Sequence, residues 1–240
     1  RSVGQGLNRD LPVPPEVKVC ASRDELIDSL NTDTAIVYLS HADYRSGECW
    51  NMADINRRAH AIDALTVSDL SHSTGAIPVD LTGDDADFAV GCGYKYLSGG
   101  PGGSAYLWVN PRHAENGWPT ICGWMGHQDV FAFATEYEPL SGAGRHATGT
   151  PAVIANEIFS CAAQIWQEVD ENHLWEKHKT LGDLTMELLE QECGSLDVTI
   201  NTPREYNQRG GHIGCRPPGA GPASEALAAA GRGGSSRASQ

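Results

Sequence analysis

Apolar and polar positions recur at two different periods along the first half of the chain. Residues 35–39 form a short apolar run of the kind a buried strand shows, and residues 65–67, 88–90 and 104–109 repeat it. Between the first two runs, Met52, Ile55, Ala59 and Ile62 recur at helical spacing, which predicts a helix over residues 51–63. Ser22 and Glu25 stand three apart ahead of Leu26, Ile27 and Leu30, a capping box that opens another helix. Residues 17–20 predict one more short strand. Strands alternating with helices predict an α/β fold with a largely parallel sheet and flanking helices.

The second half reads differently. Residues 110–150 are loop-like, and long loops inside a compact domain tend to carry function. Residues 152–169 and 171–193 predict two helices. In the second, Leu174, His178, Leu181, Leu184 and Leu188 trace an inward stripe, with His173 at the surface. From Gly214 onward Leu227 is the only Leu, Ile, Val or Phe. Such a segment buries too little apolar surface to offset its ordering entropy, so a disordered tail is expected. Its abrupt onset is also what a shifted reading frame in GC-rich DNA would give. The expected organisation is an irregular remnant over 1–16, a large domain over 17–150, helices leading into the start of a small α+β domain over 151–213, and a tail over 214–240.

Composition narrows the classes. Hydrophobic residues make up 40% of the 240, enough for a core, and the formal net charge is -14. A protein that grips a phosphate backbone is normally basic, so nucleic acid is not an expected partner; acidity here reads as a solubility feature. No apolar run approaches the roughly 18 residues of a membrane span. The start, Arg1-Ser2-Val3, has no apolar signal-peptide core, and its lack of an initiator Met suggests a longer parent chain. Seven cysteines without a Cys-x-x-Cys pair read as reduced thiols of a cytoplasmic protein. No histidine–carboxylate cluster has metal-ligand spacing, so no metal is expected.

Candidate chemistry gathers at strand ends. Ser40, Asp69 and Lys95 each fall just beyond the carboxyl end of a predicted strand, where open α/β sheets collect ligands. Lys95 sits between Tyr94 and Tyr96, ahead of a run containing four glycines and a proline. A crowded lysine poor in water is disfavoured as an ammonium, which is one route to an amine nucleophile that forms a Schiff base. Taken alone, it also fits a plain turn. Asp69, with His72 three residues later and Lys95 26 residues on, suggests pyridoxal phosphate: a carboxylate that keeps the pyridine nitrogen protonated and a lysine that holds the aldehyde. Taken alone, Asp69 equally fits a cap or a turn.

At this point the sequence resembles a known family. Residues 17–213 are similar to kynureninases, pyridoxal phosphate hydrolases with the aspartate-aminotransferase fold (fold type I, class V-like). The resemblance is carried by residues 34–41 with 44–47, 69–80, 86–102, 123–127 and 137–139, by Gly149 and Thr150, and by 202–205. Tyr94-Lys95-Tyr96-Leu97-x-Gly-Gly-Pro-Gly is the most specific of these segments. The resemblance implies Lys95 as the Schiff-base residue, Asp69 on the pyridine nitrogen, His72 close to the cofactor, and Tyr94 at the phosphate and as acid–base partner. It also implies Ser40, Trp124 and Thr150 in a phosphate cradle, and a homodimer that shares its sites. The implied reaction is hydrolysis of L-kynurenine, or 3-hydroxykynurenine, to anthranilate, or 3-hydroxyanthranilate, and L-alanine. Family members run beyond 400 residues. The resemblance therefore lacks an N-terminal Thr/Ser pair, a Phe-Pro-x-Asp segment and the arginine that clamps the substrate carboxylate. Arg216, Arg232 and Arg237 stand in no matching context for that clamp. Two alternatives stay open: an inactive fragment, and another enzyme of the same fold such as a cysteine desulfurase. The second usually carries His where Tyr94 stands.

Overall fold

The computed structural model of the chain describes residues 15–115 and 117–219. Its centre is a four-stranded sheet of β1 (Ile36–Ser40), β2 (Leu65–Asp69), β3 (Phe88–Cys92) and β4 (Ala105–Val109), adjacent in that order. β1, β2 and β3 run parallel, and β4 returns antiparallel to β3. The fold is the expected α/β class with a mostly parallel sheet. α1 (Arg23–Ser29) precedes β1, and α2 (Met52–His60) makes the crossover from β1 to β2. The longer stretch from β2 to β3 crosses by turns alone.

The helix starts follow from their caps. Ser22 Oγ accepts the Glu25 N–H at 3.1 Å, while the Glu25 carboxylate reaches back to the Ala21 N–H at 2.7 Å. The capping box is thus displaced by one residue on its return side. Asn51 caps α2 by accepting the Asp54 N–H at 3.0 Å. One face of α2 packs Met52, Ile55 and Ala59 against Val37, Leu39 and Ala64, with Leu26, Leu30, Trp50 and Ile62 around them. β1 alternates accordingly: Val37 and Leu39 point into this core, whereas Ile36 and Tyr38 are 58% and 59% exposed. β1 is also an edge of the sheet among the described residues.

Residues 17–20 do not form the expected strand. A strand exists through the ladder it makes with a neighbour, and Val17 and Val19 remain exposed with no ladder. The two late helices are α3 (Val153–Trp166) and α4 (Glu171–Cys193). The expected stripe on α4 is only partly the inward one. Leu174 and His178 do turn inward, followed by Gly182 and the fully buried Met186, whereas Leu181, Leu184 and Leu188 are about half exposed. Gly182 leaves room for the buried Arg209 guanidinium, which donates to Lys179 O and pairs with Asp183. α3 lays Phe159 against Gly93 and Gly99, where a Cβ would come within 3.0 Å of the ring.

Beyond α4, β5 (Thr199–Ile200) pairs antiparallel with β6 (Cys215–Arg216). β6 thus lies just beyond the boundary expected at Gly214. Residues 1–14 and 220–240, expected to be irregular and disordered, lie outside the described residues. The segment between β5 and β6 lies on the loop after β1: Gly210 N–H donates to Gly47 O at 2.6 Å, and Thr202 Oγ1 to Ser46 O at 2.5 Å. No helix among the described residues is long and apolar enough to cross a membrane.

The lower end of the sheet is tied by one carboxylate. Asp87, immediately before β3, is 1% exposed. It accepts from Thr66 N–H of β2 at 2.8 Å, His60 Nε2 of α2 at 2.9 Å, His113 Nε2 at 2.7 Å and Arg112 Nη2 at 2.5 Å. Burial alone would push this carboxyl up. The hydrogen bonds from Arg112, His113, His60 and Thr66 outweigh it and hold Asp87 well below the usual carboxylate range.

Candidate functional site

The parallel register brings the carboxyl ends of three strands together. Ser40 pairs with Asp69, and Asp69 with Val90. The turns leaving β2 and β3 then carry His72 and Lys95 over that edge. Asp69 Oδ1 accepts the Ser71 N–H at 2.8 Å, the local turn that an aspartate makes at such a position. Its Oδ2 takes a long 3.5 Å contact from the Tyr38 hydroxyl. The turn contact and the Tyr38 contact thus fall to different oxygens. Burial first, and the Asp69 charge second, raise the Tyr38 phenol, so it stays a donor.

His72 lies between opposite charges. Burial lowers its imidazole, the Lys95 ammonium and His212 lower it further, and Asp69 and Asp43 pull the other way. Tyr44 stacks loosely on it at 6.4 Å between ring centroids. Lys95 itself is half-buried, with Nζ 5.4 Å from the Tyr94 ring centroid, a cation–π distance. Tyr94 is 51% exposed, so the crowding expected around the lysine is one-sided: Tyr94 turns out and Tyr96 turns in. The turn is closed by Ser98 N–H to Lys95 O at 3.1 Å and Gly99 N–H to Gly93 O at 2.7 Å. Trp166 of α3 donates its indole N–H to Leu97 O at 3.4 Å, bracing the same turn from below.

Not every expected site residue joins this group. Trp124 lines a separate open cavity of about 430 Å³ with His127, Phe133 and Tyr137, and none of Asp69, His72 and Lys95 lines it. Thr150 stands exposed just ahead of α3. Their two loops pack on each other, with Gly123 so close to the Thr148 carbonyl that no Cβ would fit. Tyr38, Tyr44 and His212 join the site without having been singled out. Tyr38 had a readable signal, since it lies two residues before Ser40 and so on the same side of β1. His178 was expected only as a packing residue. Its Nδ1 lies 3.1 Å from Ala76 O and its Nε2 2.8 Å from Gly211 O.

His41 follows Ser40 and is 8% exposed, with Nδ1 lacking a partner among the described residues. Burial lowers it to about 4. In the unfolded chain a histidine titrates near 6.5. Between those values the unfolded chain holds the extra proton, so stability falls as pH drops from about 6.5 to 4 and the loss levels off below. The expected share is up to about 3 kcal/mol. Urea midpoints measured across that range should slope for the natural chain and flatten in His41→Gln; parallel slopes would contradict the assignment.

Comparison with known proteins identifies the family. The family described as Aminotransferase class-V matches residues 12–227. A kynureninase from Pseudomonas fluorescens is 37% identical over 211 residues, which are 88% of this chain and 51% of the relative. A kynureninase from Deinococcus radiodurans is 40% identical over 216 residues, 90% of this chain and 52% of the relative. The chain thus spans about half the length of the curated relatives it matches. Among solved structures, apo cysteine desulfurase from Thermococcus onnurineus NA1 superposes with a TM-score of 0.69 at 18% identity, covering 86% of this chain and 50% of that one. Cysteine desulfurase CsdA from Escherichia coli superposes with 0.61 at 22%, covering 75% and 43%. At such identities these two speak for the fold alone.

Proposed function

Because the chain belongs to the class-V aminotransferase family, we propose that it is the cofactor-binding part of a pyridoxal phosphate enzyme. The proposed reaction is hydrolysis of L-kynurenine, or 3-hydroxykynurenine, to anthranilate, or 3-hydroxyanthranilate, and L-alanine. What supports this reading is the meeting of Asp69, His72 and Lys95 at one sheet end, in a chain 37% and 40% identical to two kynureninases.

The side chains fit the cofactor. Asp69 Oδ2 has only the long Tyr38 contact among the described residues, so it can accept from a protonated ring nitrogen. Lys95 is half-buried with Nζ beside the exposed Tyr94 ring, and it would take the aldehyde there. When bound, pyridoxal phosphate supplies an electron sink for charge that develops beside the substrate amine. Asp69 would hold the proton on the ring nitrogen. Lys95 would bind the aldehyde carbon and later carry a proton to and from the substrate α-carbon. His72, kept uncharged near neutral pH by burial and by the Lys95 ammonium, would hydrogen-bond without adding charge. Tyr94 would meet the phosphate and share proton transfer, and Ser40, Trp124 and Thr150 would complete the phosphate cradle. The separate position of Trp124 is consistent with a cradle assembled between two copies, so a homodimer is the proposed partner arrangement, and the cytoplasm the proposed location.

The cysteine desulfurase reading has less support: it rests on shared fold at 22% identity or below, and Tyr94 precedes the lysine. The test is to add pyridoxal phosphate to the purified chain, reduce with borohydride and map the modified residue by mass spectrometry. Anthranilate fluorescence is then followed with L-kynurenine. Modification of Lys95 with anthranilate release is the expected result. Modification without anthranilate would leave the inactive-fragment reading standing, and no modification would sink the cofactor assignment.

A further inference from the structure

Three titratable side chains from distant stretches meet beside Lys95: His72 after β2, Tyr96 after β3, and His212 between β5 and β6. His212 Nδ1 lies 3.5 Å from the Tyr96 hydroxyl. Its ring centroid is 5.8 Å from that of His72, with the planes tilted 53°. Its Nε2 is buried and has no hydrogen-bond partner among the described residues.

The backbone around this ring is held on several sides. Gly210 N–H donates to Gly47 O at 2.6 Å and Gly214 N–H to Thr202 Oγ1 at 2.7 Å. Gly211 O accepts from His178 Nε2 at 2.8 Å. Two glycines are needed for the fit. Gly47, at φ +70°, would put a Cβ 2.5 Å from His212 O, and Gly211 would put one 2.7 Å from Ala76 Cβ.

We propose that His212 is a positioning residue of the Lys95 site: its imidazole fixes the tilt of His72 and, through the Tyr96 hydroxyl, the seat of the turn that carries Lys95. What the site binds rests on the reading given above; the positioning role does not. The groups facing His72 are Lys95, Asp69, Asp43, Tyr44 and His212. Those facing His212 are Asp43, Tyr44, His178, Tyr96 and His72. Burial lowers the His212 imidazole, so near neutral pH it packs on His72 as an uncharged ring. On acidification each ring opposes the proton on the other.

The experiment reads the ring-nitrogen signals of His72 and His212 by NMR across pH, in the chain without added cofactor. The proteins are the natural chain, His212→Gln, His212→Phe and Tyr96→Phe. Both His212 variants are expected to raise the His72 midpoint, because a like charge is lost. Phenylalanine fills the space yet does not restore the midpoint, which separates an effect of the imidazole from one of packing. Reductive capture of pyridoxal phosphate on Lys95 should slow several-fold in His212→Phe and Tyr96→Phe and be largely kept in His212→Gln, whose amide can still meet the hydroxyl. An unmoved His72 midpoint in both His212 variants overturns the proposal. If those variants unfold, Tyr96→Phe must still shift the signals of both rings, and unmoved signals overturn it. Should the natural chain capture no pyridoxal phosphate, the cofactor reading fails while the His72 titration still decides the positioning role.

Discussion

Lys95→Ala is expected to abolish borohydride capture of pyridoxal phosphate and to leave the far-ultraviolet spectrum of the chain unchanged. The lysine is half-buried, its ammonium lies over an exposed tyrosine ring, and its turn is closed by backbone hydrogen bonds that do not need its side chain. Removing it should therefore cost the fold within about 0.5 kcal/mol, as for other surface changes. The chemistry has no substitute, because the amine is the covalent attachment point. Any kynurenine cleavage should fall by at least about a thousandfold. One further sign is fixed by the electrostatics. The Lys95 ammonium lowers the His72 imidazole, so the His72 midpoint must rise in Lys95→Ala. Capture retained at another lysine would show that the strand-end group is not the attachment site.

Asp87→Ala should unfold the sheet rather than disarm the site. The carboxylate is buried and joins β2, α2 and the chain after β4 through four donors. Breaking such a buried ionic group by removing one partner costs about 3–5 kcal/mol, against a total domain stability of about 5–15 kcal/mol. The expected result is a urea midpoint lowered by a third or more, with capture at Lys95 lost only under conditions where the chain unfolds. Asp87→Asn should fall between, since an amide still accepts some of the hydrogen bonds. The pH dependence has a definite sign. The folded carboxyl is held below its unfolded value near 4. Its contribution is therefore complete above pH 4 and is lost as pH falls below it. That window lies under the one assigned to His41, so acid unfolding should proceed in two stages, and only the lower one should vanish in Asp87→Asn. A variant that unfolds at the same urea concentration as the natural chain would contradict this account.

Legibility from sequence follows the range of the forces involved. β1 to β4 and α2 were readable because each is an apolar run or stripe whose partner lies next to it in the chain. Residues 17–20 misled for the same reason: local apolarity names a candidate strand, while the ladder comes from elsewhere. On α4, Leu181, Leu184 and Leu188 form an apolar row, but Gly182 and Met186 face inward because Arg209 and the rest of the fold pack on that side. Periodicity gives the rows and tertiary packing chooses among them. In the site, Asp69 and Lys95 were visible as chemistry placed at strand ends. His212 was not, because it reaches Tyr96 across 116 residues of sequence. Asp87 was hidden in plain view as a residue ahead of a strand, since nothing local announces an arginine and two histidines converging on it.

The open edge of β1 bears on how the purified chain behaves. Ile36 and Tyr38 stand on a strand whose outer backbone groups have no ladder among the described residues, a template onto which another extended chain can add. Fourteen excess negative charges keep such templates apart at neutral pH. Near the isoelectric point of about 4.9 that colloidal repulsion disappears. Turbidity should then appear there while Asp87 still holds the sheet together, so the chain should cloud within the His41 stage and before the Asp87 stage begins.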